Sequence, residues 1–285
     1  MADLTISPPT PNRHREVVLL LGLTVAAFVA VFFPVWKGLV TAWGASADYS
    51  QGFFIVPLAL YVWWQKRAEL RPEPGRASWA GLALAVVALA LYLLGHLAEI
   101  LTLSSVSLVL FLAGAIVFLL GWQAARQSAF PLFLLLLMIP FPTQLYTTLT
   151  IPLQLLVSQA AAALAQWGGI PLVRDGNLIH LPQHTVEIIQ ACSGLRSLIS
   201  LVTLSTVLGY FTLRANLLRA ILILLAVPVA ICINIVRVLV ILVGFYVWNI
   251  DLTQETIHTA LGLGVFILAL LLVIAARGVL ARWDH

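Results

Sequence analysis

The sequence predicts an all-α polytopic membrane protein with about eight transmembrane helices and a small extracytoplasmic β-ribbon just before Cys192. Three observations carry this. Hydrophobic residues make up 62% of the 285 positions and charged residues only 9%, whereas a soluble domain carries about 25% charged residues. Apolar runs recur at lengths near the ~20 residues that cross a hydrocarbon core. Lysine and arginine gather in alternate connecting segments, as in a chain threaded back and forth across a bilayer.

The apolar runs lie near 17–36, 52–64, 79–95, 100–122, 130–148, 198–211, 220–247 and 258–276. The leading stretch MADLTISPPTPNRHRE (1–16) is polar and lacks a cleavable-signal pattern. It reads as a cytoplasmic tail before one transmembrane domain over 17–277, with a second tail at 278–285. The run at 52–64 is short and must borrow flanking residues; that at 198–211 reaches full length only if it starts near Cys192. Residues 150–168 are also long enough to cross, but Gln154, Ser158 and Gln166 recur at a spacing near four and make one polar face. They are expected to lie at the outer interface or to line a cavity, because a further crossing would turn Arg214 and Arg219 outward. The outer segment 169–191 contains VRDGNLIHLPQHTVEI, weakly alternating and punctuated by Asp175-Gly176 and Pro182; this predicts the ribbon. RPEPGR (71–76) reads as a tight cytoplasmic loop, and the tryptophans Trp36, Trp43, Trp63 and Trp64 with Tyr49 as an interfacial belt.

Of 15 Lys and Arg, 11 fall in the N-terminus, 65–78, 123–129, 212–219 and the C-terminus, which places both termini in the cytoplasm. The net charge of +4 sits mostly in these short loops, so no nucleic-acid partner is expected; membrane lipids are. Two cysteines exclude a disulfide scaffold and a cysteine-rich metal domain, and neither a metal nor another cofactor is expected.

The polar exceptions converge. Cys192 opens the sixth run at its outer end; Arg237 lies 17 residues past Ala220, about 26 Å along a helix, again near the outer surface; His258 opens the eighth run there. A thiol must become a thiolate to attack a carbonyl. A helix N-terminus favours the anion, and Arg196 lies one turn along. Histidine can carry the proton to a leaving amine, and arginine offers fixed donors to an oxyanion. Asn234, three residues before Arg237, shares its helix face, and polar groups in an apolar helix usually face a cavity or a partner. Cys192, Arg237 and His258 are therefore the candidate catalytic residues, with Arg196, Asn234, Ser193, Gly194 and Glu187 in support.

The blocks ACSGLRSL (191–198), NIVR (234–237) and HTALG (258–262), with DYSQGFFIVPLALYVWW (48–64), FPLFLLLLMIPFP (130–142) and VRDGNLIHLP (173–182), resemble the exosortase and archaeosortase family of membrane cysteine proteases/transpeptidases. The resemblance implies a nucleophile at Cys192, an arginine at Arg237 and a third polar residue at His258, the bacterial form. It departs at Gln51, where the family usually reads His. It also implies a place in a bacterial inner membrane, with the active site facing the periplasm. The implied substrates are exported proteins with a C-terminal Pro-Glu-Pro motif, a transmembrane helix and a basic tail, often in organisms that make exopolysaccharide.

Each residue also has a plainer reading. Cys192 can be a packed thiol, Arg237 a snorkelling anchor, His258 an interfacial helix-start residue behind a Thr253 cap, and Glu187 a solvated charge. His180 and His184 would approach each other as metal ligands only through a turn at Pro182. Cys232, among aliphatics, reads as packing. A non-catalytic component of polysaccharide export, or a transporter, is the alternative for the whole chain. A transporter would place polar groups near the midplane in paired halves, whereas here they gather at one surface.

Overall fold

The computed structural model describes residues 11–68, 78–182, 184–188, 194–252 and 254–284. RPEPGR, Cys192, Ser193 and Thr253 lie outside them. Among the described residues, seven helices are long and apolar enough to cross a membrane, and a small three-stranded sheet is the only strand structure. The molecule is an all-α polytopic membrane protein. Its chain forms two compact units, Met1–Pro140 and Phe141–His285.

The first unit holds α1 (Pro11–Ala45), α2 (Gly52–Gln65), α3 (Trp79–Leu97), α4 (Leu101–Leu120), α5 (Trp122–Gln127) and α6 (Ala129–Leu137). Its firmest part is the α3–α4 hairpin, because α3 turns small residues, Gly81, Ala85, Ala88 and Gly95, inward. A Cβ at Gly81 would overlap the Phe118 main chain, and one at Gly114 would lie 2.7 Å from the Ala85 nitrogen. Helices in lipid gain their attraction from such close backbone approach. The hairpin turns through a Schellman closure, with Ile100 N–H donating to Gly95 O at 2.8 Å; Glu99 takes the left-handed position at φ 57°.

One expectation is borne out in this unit and one changes. The 52–64 run is the 14-residue α2, only ~21 Å long, as short as the sequence suggests, and it runs from Trp43 at its start to Ser128, which accepts from Trp63 Nε1–H, at its end. Trp43 is no belt residue: it is 4% exposed, its Nε1–H donates to Met138 O at 2.9 Å, and a side chain at Gly52 would overlap its ring. An indole buries well wherever its one donor finds an acceptor.

The second unit holds α7 (Thr143–Trp167), β1 (Val173–Asp175), β2 (Leu178–His180), β3 (Thr185–Glu187), α8 (Leu195–Thr212), α9 (Asn216–Trp248) and α10 (Glu255–Leu280). The 130–148 run is not one helix. α6 stops at Leu137 and α7 starts at Thr143, because Pro140 and Pro142 lack N–H groups and bias their predecessors away from the helical region. The end of that run joins 150–168 in a 25-residue helix long and apolar enough to span, and of the two expectations, an interfacial helix or one lining a cavity, the interfacial one is set aside. Its polar face turns inward rather than to head groups: Gln154 and Ser158 are 8% and 0% exposed. Ser158 Oγ–H donates to Gly176 O at 2.9 Å, so this face holds the sheet.

The ribbon forms as an antiparallel meander, β1-β2-β3. Asp175 pairs with Leu178 across Gly176-Asn177, and Gly176 has φ +61°, the positive first loop residue of a II′-like turn. Ile179 faces Val186 across the second pairing. Both are buried with Val157 and Ala161 of α7 and Val238, Ile241 and Leu242 of α9 in one core. α9, at 33 residues, is ~50 Å long against a hydrocarbon core of ~30 Å, and its excess carries the sheet. A second core joins Leu201 of α8, Leu222, Ala226 and Ala230 of α9, and Ala269 and Val273 of α10. Past α10, the Asp284 carboxylate accepts the N–H groups of Arg214 and Ala215 at 2.6 and 2.9 Å. These bonds hold its carboxyl below the ordinary aspartate value. The fastening is therefore complete above the ordinary carboxylate range and is lost as pH falls through the lowered value. Arg277 Nη2 donates to Thr212 O beside it, at 3.2 Å.

Gly81→Leu should lower the unfolding midpoint of the detergent-solubilised protein, by the ~1–3 kcal/mol or more typical of overpacking. Gly22→Leu, at a position with nothing within 4 Å, should leave the midpoint unchanged.

Candidate active site

The second unit brings four of the eight candidate residues together on or against one helix, α9. Val238, Ile241, Leu242 and Phe245 of α9 are the floor on which the sheet rests. Gly194, the residue before α8, sits in the left-handed region at φ 82°, ψ −2°. Glycine is needed there for its backbone and for space, since a Cβ would lie 2.8 Å from Asn234 Cγ and Nδ2. The start of α8 is thus seated directly on Asn234.

Asn234 is 3% exposed and Arg237, three residues on, 8%. A buried guanidinium is costly unless its donors are met. Arg237 Nη2–H donates to His258 Nε2. Arginine has no acceptor, so this contact uses the lone pair of His258 Nε2. His258 lies in the first turns of α10, where its N–H donates to Gln254 O at 2.8 Å; the cap position is Gln254. Gly262, one turn further, gives the guanidinium its room: a Cβ there would lie 3.3 Å from Arg237 Nη2. The α9–α10 link folds back along α9, and a side chain at Gly244 would overlap Leu252. Arg196, on the exposed side of α8, is near enough for its charge to act on His258 together with that of Arg237.

Gly194, Asn234, Arg237 and His258 thus meet, with Arg196 electrostatically coupled. Glu187 is exposed at the end of β3. Cys192 and Ser193 lie outside the described residues, between β3 and Gly194. Cys232 is exposed on α9, not packed inside: with Ile233 and Asn234 turned inward, position 232 turns outward. His180 and His184 part company. His180 Nδ1 is hydrogen-bonded to Thr185 Oγ1 at 3.0 Å. His184 Nε2 is bonded to Asn249 Oδ1 at 3.0 Å, with its ring 4.9 Å from that of Phe245.

Sequence reasoning missed two supports. Gly262 reads as an ordinary helix glycine until Arg237 is seen beside it. Arg174 donates from Nη1 to Gly176 O at 2.7 Å and to Ser158 Oγ at 3.2 Å; its two-residue distance from a turn glycine is the available signal.

A family model described as transmembrane exosortase matches residues 43–275. No curated protein and no solved structure matches the chain.

Gly262→Val should push the guanidinium off α10 and lower the unfolding midpoint in detergent, by the ~1–3 kcal/mol of an overpacked site. The same change at Gly264, with nothing within 4 Å, should cost less than half as much.

Proposed function

The chain belongs to the transmembrane exosortase family, and from that premise we propose that it is a membrane-embedded cysteine endopeptidase/transpeptidase acting in protein sorting, with Cys192 as nucleophile. The observation that carries this reading is the contact of buried Arg237 with half-buried His258 on the helix face where Asn234 seats Gly194. Cys192 stands two residues before Gly194 in the sequence, at most ~7 Å of chain, which supports the reading. Arg237 lies 21 residues beyond Asn216, ~32 Å along α9, and so reaches the far boundary of a ~30 Å hydrocarbon layer. Arg214 and Arg219 at the other end favour the cytoplasm for that side. The active site then faces the periplasm across a bacterial inner membrane, with both termini cytoplasmic.

The chemistry follows from the donor inventory. An incoming carbonyl oxygen is a better acceptor for the Arg237 guanidinium than a neutral imidazole, because it gains negative charge as the reaction proceeds. When the guanidinium turns to it, His258 Nε2 is released and takes the Cys192 proton. Sγ bonds to the carbonyl carbon, and the resulting oxyanion is held by Arg237, with Arg196 adding positive charge. The C–N bond breaks as His258 returns the proton to the leaving amine, leaving a thioester. Water or an acceptor amine then attacks the thioester carbonyl and restores the thiol. The substrates are exported proteins with a C-terminal Pro-Glu-Pro signal, a transmembrane helix and a basic tail. That helix would lie beside the bundle with its tail in the cytoplasm.

With a Pro-Glu-Pro-tailed protein co-expressed, Cys192→Ala and Cys192→Ser should leave the tail attached on an immunoblot, while Cys232→Ala processes it normally. His258→Ala and Arg237→Lys should slow processing ~100-fold or more, since lysine lacks the fixed fork of donors. Continued processing by a properly inserted Cys192→Ala would overturn the peptidase reading in favour of a non-catalytic role in export.

A further inference from the structure

We propose that the open edge of β3 is the docking strand for the substrate polypeptide, which binds as a fourth strand of the sheet beside Thr185–Glu187. This inference rests on the peptidase reading above and adds to it how the main chain is held. The sheet order is β1-β2-β3, so among the described residues β3 is paired on one side and open on the other. The hydrogen-bond phase says which groups face the open side. Leu181 N–H donates to His184 O at 2.8 Å and Ile188 N–H to Asn177 O at 2.9 Å, bracketing the facing residues Ile179 and Val186. Hydrogen-bonded pairs alternate along an antiparallel ladder. The pairs 181/184, 179/186 and 177/188 therefore use the β2 side. Thr185 and Glu187 turn their N–H and C=O groups the other way, and among the described residues no main chain pairs with them. Both residues are exposed, with Val186 buried between them.

An exposed strand edge is a ready template for another chain, and main-chain pairing along it binds an extended peptide with little regard to side chains. Two features select β3 over the other edge, β1. β3 runs on in sequence toward Cys192, five residues past Glu187. Its anchor Val186 also shares a core with Val238 of α9, the neighbour of Arg237, so the edge and the guanidinium ride on one rigid support. The strand is short, which limits self-association and leaves two residues for pairing. A cleavage site needs its peptide extended, and this edge supplies that conformation. On the signal proposed above it also sets a register. Prolines two apart have no N–H to donate and must face away from β3, leaving the N–H and C=O of the glutamate between them to pair with it.

The test is an N-methyl scan of a synthetic peptide carrying the Pro-Glu-Pro signal, cut by the full-length enzyme in detergent. Methylation at the glutamate, and at the residue just outside one of the two prolines, two positions from it, should lower kcat/KM about tenfold, while methylation one residue further out, in the opposite phase, should change it by less than about twofold. On the enzyme side, Glu187→Pro removes an outward N–H without touching the β2 ladder and should raise KM about tenfold more than Glu187→Ala, which keeps that N–H, does. A parent peptide cut by wild type but not by Cys192→Ala, with no alternation in the scan, overturns the docking strand alone. Equal effects of Glu187→Pro and Glu187→Ala do the same. A parent peptide left intact by wild type, or cut equally by Cys192→Ala, overturns the peptidase reading and this inference with it.

Discussion

A guanidinium buried on an apolar helix needs acceptors, and the approach of α10 to α9 supplies one to Arg237. The residue is 8% exposed and donates to His258 Nε2, so α10 must approach α9 closely at that level. Gly262 permits the approach by having no side chain where the guanidinium lies. Below, α10 is held by the apolar packing of Ala269 and Val273 against α8 and α9. At its far end, Asp284 and Arg277 tie it to the α8–α9 turn. Polar fastening at both ends with apolar packing between suits a helix pair in lipid, where apolar contact alone supplies little preference for register.

α9 is the second organiser, through its length. A helix of 33 residues outruns the hydrocarbon layer by ~20 Å, and that surplus needs a partner for its apolar side. The meander provides it, with Ile179 and Val186 set on Val238, Ile241 and Leu242. A three-stranded sheet of three-residue strands would not be stable alone in water. Here it is held by α9 beneath it and by Ser158 and Arg174 at its turn. The sheet, the start of α8 and the Arg237–His258 pair are consequently built on one helix.

Much of this was legible in the chain because the bilayer imposes simple rules. Run length, the alternation of Lys and Arg, and Asp175-Gly176 between alternating residues report solvent and backbone requirements that do not depend on distant partners. The misreadings share one cause. Trp43 reads as a belt residue and Cys232 as packing, and the face of Gln154 and Ser158 reads as interfacial or cavity-lining without a sign of which. In each case the direction of a side chain depends on which helix packs beside it, and periodicity reports a face without saying what covers it. The break at Pro140 and Pro142 was visible in the sequence but was outweighed by the apolar run around it.

The sequence by itself determined the class of the molecule, a helical membrane protein with a small sheet, because hydropathy and backbone chemistry act locally. It also determined which polar residues are out of place in that setting: Asn234, Arg237 and His258 stand out because charge and amide are expensive among aliphatics. Only the tertiary structure decided that Arg237 and His258 touch, that Asn234 seats Gly194, and that Thr185 and Glu187 offer their main chain outward. Those facts depend on how far α10 folds back, on the left-handed turn before α8, and on the hydrogen-bond phase of a three-residue strand. Each is set by contacts between segments far apart in the chain, and no local pattern records them.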